Sequence, residues 1–354
     1  QNFEYKFVIF NLDDETFETF GLDNKKFVVT EKKDFRSQED VAIMLHTSGT
    51  TSNPKRVMLT HKNLIANIQS NIASLKLTEN DRVLIALPMS FSYCNTAQFL
   101  THLYLGTSIV ILEGMFLPHI FFKLIQDEKI TNFTGVPSML LILLSYRNKH
   151  KYDISSLKYI CFGGGNMPVE KLKQLIETFS TVDFVQTYGQ TEASPRVTAL
   201  LPEDSLRKIG SVGKPIPNVK VRIVNDNGQD VKHGESGEII VEGDNVMKGY
   251  YMRPEETSKV VRGGWLFTGD FGRFDEEGYI YLVGRKKNMI ISGGLNIYPE
   301  EIEELLMCHP AVKEVCVIGE EHELMGEVPV AKIVLKDDAN GISEGEFINY
   351  CMGK

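Results

Sequence analysis

Between Val41 and about Gln190, short apolar runs alternate with stretches of helical periodicity. "VAIML" from Val41 predicts a buried strand, and Leu64, Ile68, Ile72 and Leu75 then recur at helical spacing along one face. The runs "DRVLIALP", "TSIVIL", "TNFTGV" and "LKYICFG" predict further buried strands, separated by helices over 137–147 and 168–179. Pro168 suits a first helical turn, where a missing N–H costs nothing. Such alternation predicts an α/β layer built on a mostly parallel sheet. Past Ser211 the pattern changes to period two. "VKVRIVNDNGQDVKHGESGEIIVEG" is punctuated by Asn-Gly, His-Gly and Ser-Gly turns, and "GRFDEEGYIYLVGR" repeats the hairpin pattern. This predicts a β-rich, barrel-like subdomain over about 209–284. From Arg285 onward a helix ("PEEIEELLMCHP") and strands ("KEVCVIGE", "VPVAKIVLKD") predict a separate small α+β unit over 285–354.

Composition narrows the function. A length of 354 residues allows about two or three domains, and 42% hydrophobic content supports a real core. A formal charge of -9 argues against a nucleic-acid binder. The longest aliphatic run, Met139 to Leu144, is too short for a transmembrane segment. Five scattered cysteines form no CxxC pair, which speaks against zinc and disulfides and for a reducing, cytoplasmic setting. Both ends read as cut. "KFVIF" opens mid-strand after Gln1, and the Ser343/Glu346 capping box announces a helix that has barely begun at Lys354. A truncated large domain over 1–284 followed by a partial small domain is the expected organisation.

The stretch "TSGTTSNPKRV" from Thr47 combines hydroxyls, one glycine and a lysine between a strand and a helix. That order offers N–H groups, hydroxyls and a cation to an anion. A Walker loop is excluded, because Pro54 stands where its glycine would be and supplies no N–H, and Arg56 supplies no hydroxyl. Taken alone, the stretch fits a phosphate cradle and an ordinary polar helix entry equally well.

Three further motifs follow in order: "YGQTE" (Tyr188–Glu192), "WLFTGD" (Trp265–Asp270) and "GRKKNMIISGGLNIYPEEIE" (Gly284–Glu303). With "TSGTTSNPK" they resemble the adenylate-forming (ANL) superfamily of acyl-CoA synthetases, peptide-synthetase adenylation domains and luciferases, over nearly the whole chain. The resemblance implies an AMP-forming acid–thiol ligase. A carboxylic acid attacks ATP to give acyl-AMP and pyrophosphate, with Mg²⁺, and coenzyme A or a carrier-protein thiol then takes the acyl group.

It also implies site roles. Thr47, Ser48, Gly49, Thr50, Thr51 and Lys55 would cradle phosphates. Thr191 would bond the α-phosphate and Glu192 would hold Mg²⁺; with Lys55 these are the catalytic candidates. Gln186, Thr187, Tyr188 and Gly189 would border adenine, as would Gly163, Gly164 and Gly165. Asp270 would take the ribose hydroxyls, Arg285 would lie near ribose and phosphate, Lys287 would mark the hinge, and Gly293 and Gly294 would line the pantetheine passage. "LPMSFSYCNTAQFL" falls where the superfamily builds its acyl pocket, making Phe91, Ser92, Tyr93, Asn95 and Phe162 pocket candidates. It contains no acid to meet a substrate amine, which favours an aliphatic or aryl acid over an amino acid. Read singly, Tyr188 and the pocket aromatics also suit a core, Arg285 a surface ion pair and Lys287 a solvated side chain.

The sequence departs from the pattern in several places. Ser52 and Arg56 replace glycines, and a serine held at positive φ costs roughly 1 kcal/mol. Asn288 replaces an aspartate. Lys354 lacks the Pro and Thr that accompany the superfamily's C-terminal catalytic lysine, so that role is not assigned to it. A carrier-protein ligase and a nucleotide-binding paralogue without catalysis are the alternatives.

Overall fold

The computed structural model describes the strands Phe7–Asn11, Thr16–Phe20 and Lys26–Val28, and residues 37–46, 55–112, 114–337, 339 and 341–352. Residues 1–40 form one unit, in which those three strands make an antiparallel sheet with Phe7 opposite Phe20. Residues 41–354 form the second.

The second unit is organised by a seven-stranded sheet in the order Lys214–Pro215, Arg196–Leu200, Asp183–Gly189, Tyr159–Phe162, Asn132–Gly135, Arg82–Ile85, Ser108–Ile111. The last five run parallel, while the first two pair antiparallel. Period-two alternation sorts side chains between two cores. Ile160 and Phe162 lie in one cluster with Leu84 and Phe184, beneath the helices Pro118–Glu128, Pro137–Ser145 and Val169–Thr178. Cys161 and Val185 point the other way, toward Leu64 and Ile68 of the helix His61–Leu75. The helix-side cluster is aromatic, with Phe121 edge-on to Phe122 (5.3 Å) and to Phe133 (4.9 Å). Each such buried ring contributes about 1.5–3 kcal/mol.

Two strand expectations change in detail. Among the described residues Ser108–Ile111 has only Arg82–Ile85 beside it and is half exposed, so "TSIVIL" forms a sheet edge rather than a buried strand. Val41–His46 pairs with Arg56–Thr60 in a small separate sheet and fully buries only Leu45. Pro168 caps the helix from outside its first turn.

The antiparallel subdomain follows. Trp265–Phe274 pairs with Gly237–Glu242 along one edge and shares the other between Val261–Arg262 and Ile280–Arg285. Lys220–Val224 completes its five strands. Ile239, Val241, Leu266 and Ile280 join the core that contains Cys161 and Val185, so this sheet covers that face of the parallel one. Beyond the turn Lys286–Asn288 lies a four-stranded sheet, containing the hairpin of Val312–His322 and Gly326–Leu335, with the helices Pro299–Met307 and Glu344–Met352. One half of the capping box is present there, as a bond from the Ser343 N–H to the Glu346 carboxylate (2.9 Å).

Strand order reverses between Arg82–Ile85 and Asn132–Gly135, and open α/β sheets form their ligand crevice at the carboxyl ends beside such a reversal. The core prediction is direct. Phe133→Ala should cost about 3–5 kcal/mol in urea unfolding, whereas Leu103→Ala, at an exposed position, should stay within about 0.5 kcal/mol.

Candidate active site

The candidate residues gather where the parallel strands end. Asp183–Gly189 carries Gln186, Thr187, Tyr188 and Gly189, and Thr191–Ala193 forms a short 3-10 turn after it. Two glycines permit this packing. A Cβ on Gly163 would sit 2.4 Å from the Thr187 carbonyl oxygen, and one on Gly189 would sit 1.7 Å from the Pro195 carbonyl oxygen. Gly164 takes a φ of 77°, turning the chain away before Gly165. The buried Thr187 hydroxyl donates to the Phe162 carbonyl (3.1 Å) and lies 2.7 Å from the Tyr93 hydroxyl. Ser92 Oγ stands 2.9 Å from Thr191 Oγ1. Segment 91–95 is thereby tied to the turn after Gly189.

Within the candidate pocket, Phe91 is exposed, Tyr93 half-buried, and Asn95 opens a π-helix, Asn95–Leu100, a form common at functional sites. Phe162 is fully buried in the helix-side core, on the opposite face from Cys161, so its ring serves packing. The side-chain oxygen of Gln186 is buried without a partner among the described residues.

Asp270 links two sheets. Tyr188 donates its phenol proton to Oδ2 (2.8 Å), and Arg285, directly opposite across the antiparallel pair, places Nε 2.8 Å from Oδ1. Thr268 Oγ1 accepts the Asp270 N–H (3.0 Å) and donates to the Ile239 carbonyl (2.7 Å). Burial raises the Asp270 carboxyl above its ordinary range, and the Arg285 charge opposes that rise. The Tyr188 phenol is pushed well up by burial and by the Asp270 charge.

Glu192 accepts a hydrogen bond from the Tyr250 hydroxyl (2.9 Å). Burial raises its carboxyl, the Asp270 charge adds to the rise, and Tyr250 and Lys55 counter it. Lys55 Nζ lies 2.8 Å from Glu256 Oε2 and 4.6 Å from the centre of the Tyr250 ring. Lys55 and Arg253 hold the Glu256 carboxyl down at about 2. Tyr250 reaches this position because Gly249–Tyr250 pairs with Arg56–Thr60, Tyr250 facing Val57.

Other candidates fall farther out or out of view. Lys287 is exposed in the turn Lys286–Asn288, and its charge lowers the Asp270 carboxyl; Asn288 Nδ2 donates to Glu300 (2.8 Å). Gly293 and Gly294, both at positive φ (56° and 84°), form the two-residue turn between Ile290–Ser292 and Leu295–Ile297, a type I′ requirement. Arg56 is exposed, 6.0 Å from the Tyr251 ring. Thr47, Ser48, Gly49, Thr50, Thr51 and Ser52, with Lys354, lie outside the described residues.

Sequence motifs alone do not point to Tyr250, Glu256 or the asparagine ladder of the helix His61–Leu75. Asn63 donates to the Asp244 and Val246 carbonyls (2.8 and 2.7 Å), and Asn67 to the Arg196 carbonyl (2.8 Å). Asn71 donates to the Ala97 carbonyl (3.2 Å), while Asn245 donates to the Ala193 carbonyl (2.9 Å). The sequence does hold a signal for the ladder. Asn63, Asn67 and Asn71 recur every fourth residue and share one helix face.

Among the described residues no group of three or more potential metal-binding side chains occurs. A single half-buried carboxylate such as Glu192 instead fits Mg²⁺, which is commonly held by one or two carboxylates together with substrate phosphates.

Comparison with known proteins shows the family. The AMP-binding enzyme family model matches residues 6–251, and its C-terminal domain matches 301–353. A long-chain-fatty-acid–CoA ligase of Bacillus subtilis is 40% identical over 87% of this chain and 55% of its own. Two structures of the Bacillus subtilis o-succinylbenzoate coenzyme A synthetase superimpose well. One, with its acyl-adenylate intermediate, has a TM-score of 0.81 at 37% identity, covering 90% of this chain and 63% of that one. The other, with ATP and a magnesium ion, has a TM-score of 0.81 at 35% identity, covering 91% and 66%. The chain thus spans between half and two thirds of the length of these relatives. With the family match covering most of its length, the chain belongs to the AMP-binding enzyme family of adenylate-forming proteins.

Proposed function

We propose that the whole protein activates a carboxylic acid as its acyl-adenylate, releases pyrophosphate and passes the acyl group to coenzyme A. The carrying observation lies at the carboxyl end of Asp183–Gly189: Tyr188 meets the Asp270–Arg285 pair there, and Tyr250 bonds Glu192 and lies beneath Lys55. The chemistry follows from these groups. In-line attack of a carboxylate on the α-phosphate brings like charges together, so it needs fixed cations and donors in a site that excludes water. Lys55 supplies a cation, and Thr191 a donor beside the Ser92 hydroxyl. Glu192 would hold Mg²⁺, which neutralises phosphate charge when bound.

Asp270 has both oxygens engaged, yet an ionised carboxylate offers about four acceptor sites, leaving room for two ribose hydroxyls. Gln186 and Tyr188 would border the adenine. Phe91, Ser92, Tyr93 and Asn95 would line the acyl pocket, the large domain would end near 284, and Lys287 would serve as the hinge of the small one. Gly293 and Gly294 would border the pantetheine passage. The relatives named as coenzyme A ligases favour coenzyme A over a carrier-protein thiol. Among the described residues no helix is long and apolar enough to cross a membrane.

The full-length protein should catalyse ATP–pyrophosphate exchange with at least one member of an aliphatic and aryl acid panel; silence with every acid would sink the proposal. Asp270→Asn should raise the KM for ATP by about 10-fold or more, because it weakens charge-assisted bonds to the ribose. Glu192→Gln should move the Mg²⁺ concentration for half-maximal exchange up by about 10-fold or more, read from a metal titration at fixed ATP.

A further inference from the structure

Arg196 is a fully buried arginine, 1% exposed, at the start of the strand that follows the Thr191–Ala193 turn. No acid neutralises it among the described residues. Its Nη1 donates to Asn71 Oδ1, and the Tyr93 hydroxyl and Cys161 thiol lie within reach of the guanidinium, but Nε and Nη2 make no well-aligned hydrogen bond. Those two nitrogens share one edge of the planar guanidinium, the edge that pairs bidentately with a carboxylate. Asp81, whose charge is felt at Tyr159 and His102 as the Arg196 charge is, is already committed to Lys158 (3.0 Å).

The groups facing Arg196 are neutral. Burial pushes the Tyr93 phenol up to about 12 and raises the Cys161 thiol, with the guanidinium opposing both rises. The location connects Arg196 to the candidate acyl pocket. Tyr93 belongs to that pocket, and Asn71 also holds the π-helix Asn95–Leu100 through the Ala97 carbonyl. Unpartnered buried polar atoms concentrate in the same region: Asn95 Oδ1, Thr96 Oγ1 and Gln98 Oε1. Buried polar atoms of this kind make a poor surround for an alkyl tail, and Arg196 is the donor among them that suits an anion.

We propose that the acyl pocket ends on Arg196 and that the acid substrate carries a second, distal carboxylate, which Nε and Nη2 bind side-on. Arg196 is then a specificity-determining residue and the substrate class is dicarboxylic. This deepens the adenylation reading and rests on it.

The test uses the full-length protein and pairs of acids matched in length, one member of each pair carrying the distal carboxylate, in alkyl and aryl series. ATP–pyrophosphate exchange should favour the dicarboxylic member by at least about 30-fold in kcat/KM. Arg196→Gln should bring the pair within about threefold, and Arg196→Lys, which keeps the charge without the fork, should fall between. Thermal unfolding gives an independent reading: the dicarboxylic acid alone should raise the Tm of the wild type and leave that of R196Q unmoved. If no acid supports exchange, adenylation fails, and this shift alone decides the binding site. Equal or better use of the monocarboxylic acid by the wild type overturns the proposal, as does an unchanged preference in R196Q. An absent Tm shift in the wild type also overturns it. Should R196Q not fold, an unchanged preference in R196K overturns it instead.

Discussion

A carboxylate withdrawn from water must be compensated on all sides, and the demands of Asp270 shape much of this molecule. One oxygen takes the phenol of Tyr188 from the parallel sheet, and the other takes Arg285 from the antiparallel sheet. Compensating one charge therefore fixes the strand ends of two sheets against each other. Arg285 is also the last residue before the turn that leads into the C-terminal sheet, so the same carboxylate anchors the point of departure of that part of the chain.

A second tie runs through backbone carbonyls rather than charge. The amides of the His61–Leu75 helix and of Asn245 reach carbonyls at 193, 196, 244 and 246, securing the turn that carries Glu192. Tyr250, delivered by a two-residue strand, then touches Glu192 with its hydroxyl and Lys55 with its ring face. Removing any of these amides would leave buried carbonyls unpaired and let the turn drift, a cost that falls on geometry as much as on stability.

The strand and helix pattern was legible because it depends on local periodicity. Ile160, Cys161 and Phe162 alternate between two cores as period two requires, and the strand-end glycines fall where backbones approach. Thr191, Glu192, Asp270 and Arg285 were legible as motif residues that resemble the superfamily's. Tyr250 and Glu256 were not, because their positions come from pairing between segments nearly two hundred residues apart in sequence. Whether "TSIVIL" lay inside or at the edge of the sheet depended on strand order, which an apolar run does not encode. Arg196 was not legible, because the sequence cannot show that an arginine in "SPRVTAL" will be fully buried with no acid beside it among the described residues.

The two edges of the seven-stranded sheet have unequal consequences. One is closed by Lys214–Pro215, where a ring replaces the N–H that an incoming strand would need. The other, Ser108–Ile111, is half exposed, rich in β-branched residues and free of proline. Among the described residues strand addition is accordingly open on one side, and a charge at Ile111, more than half exposed, would oppose it.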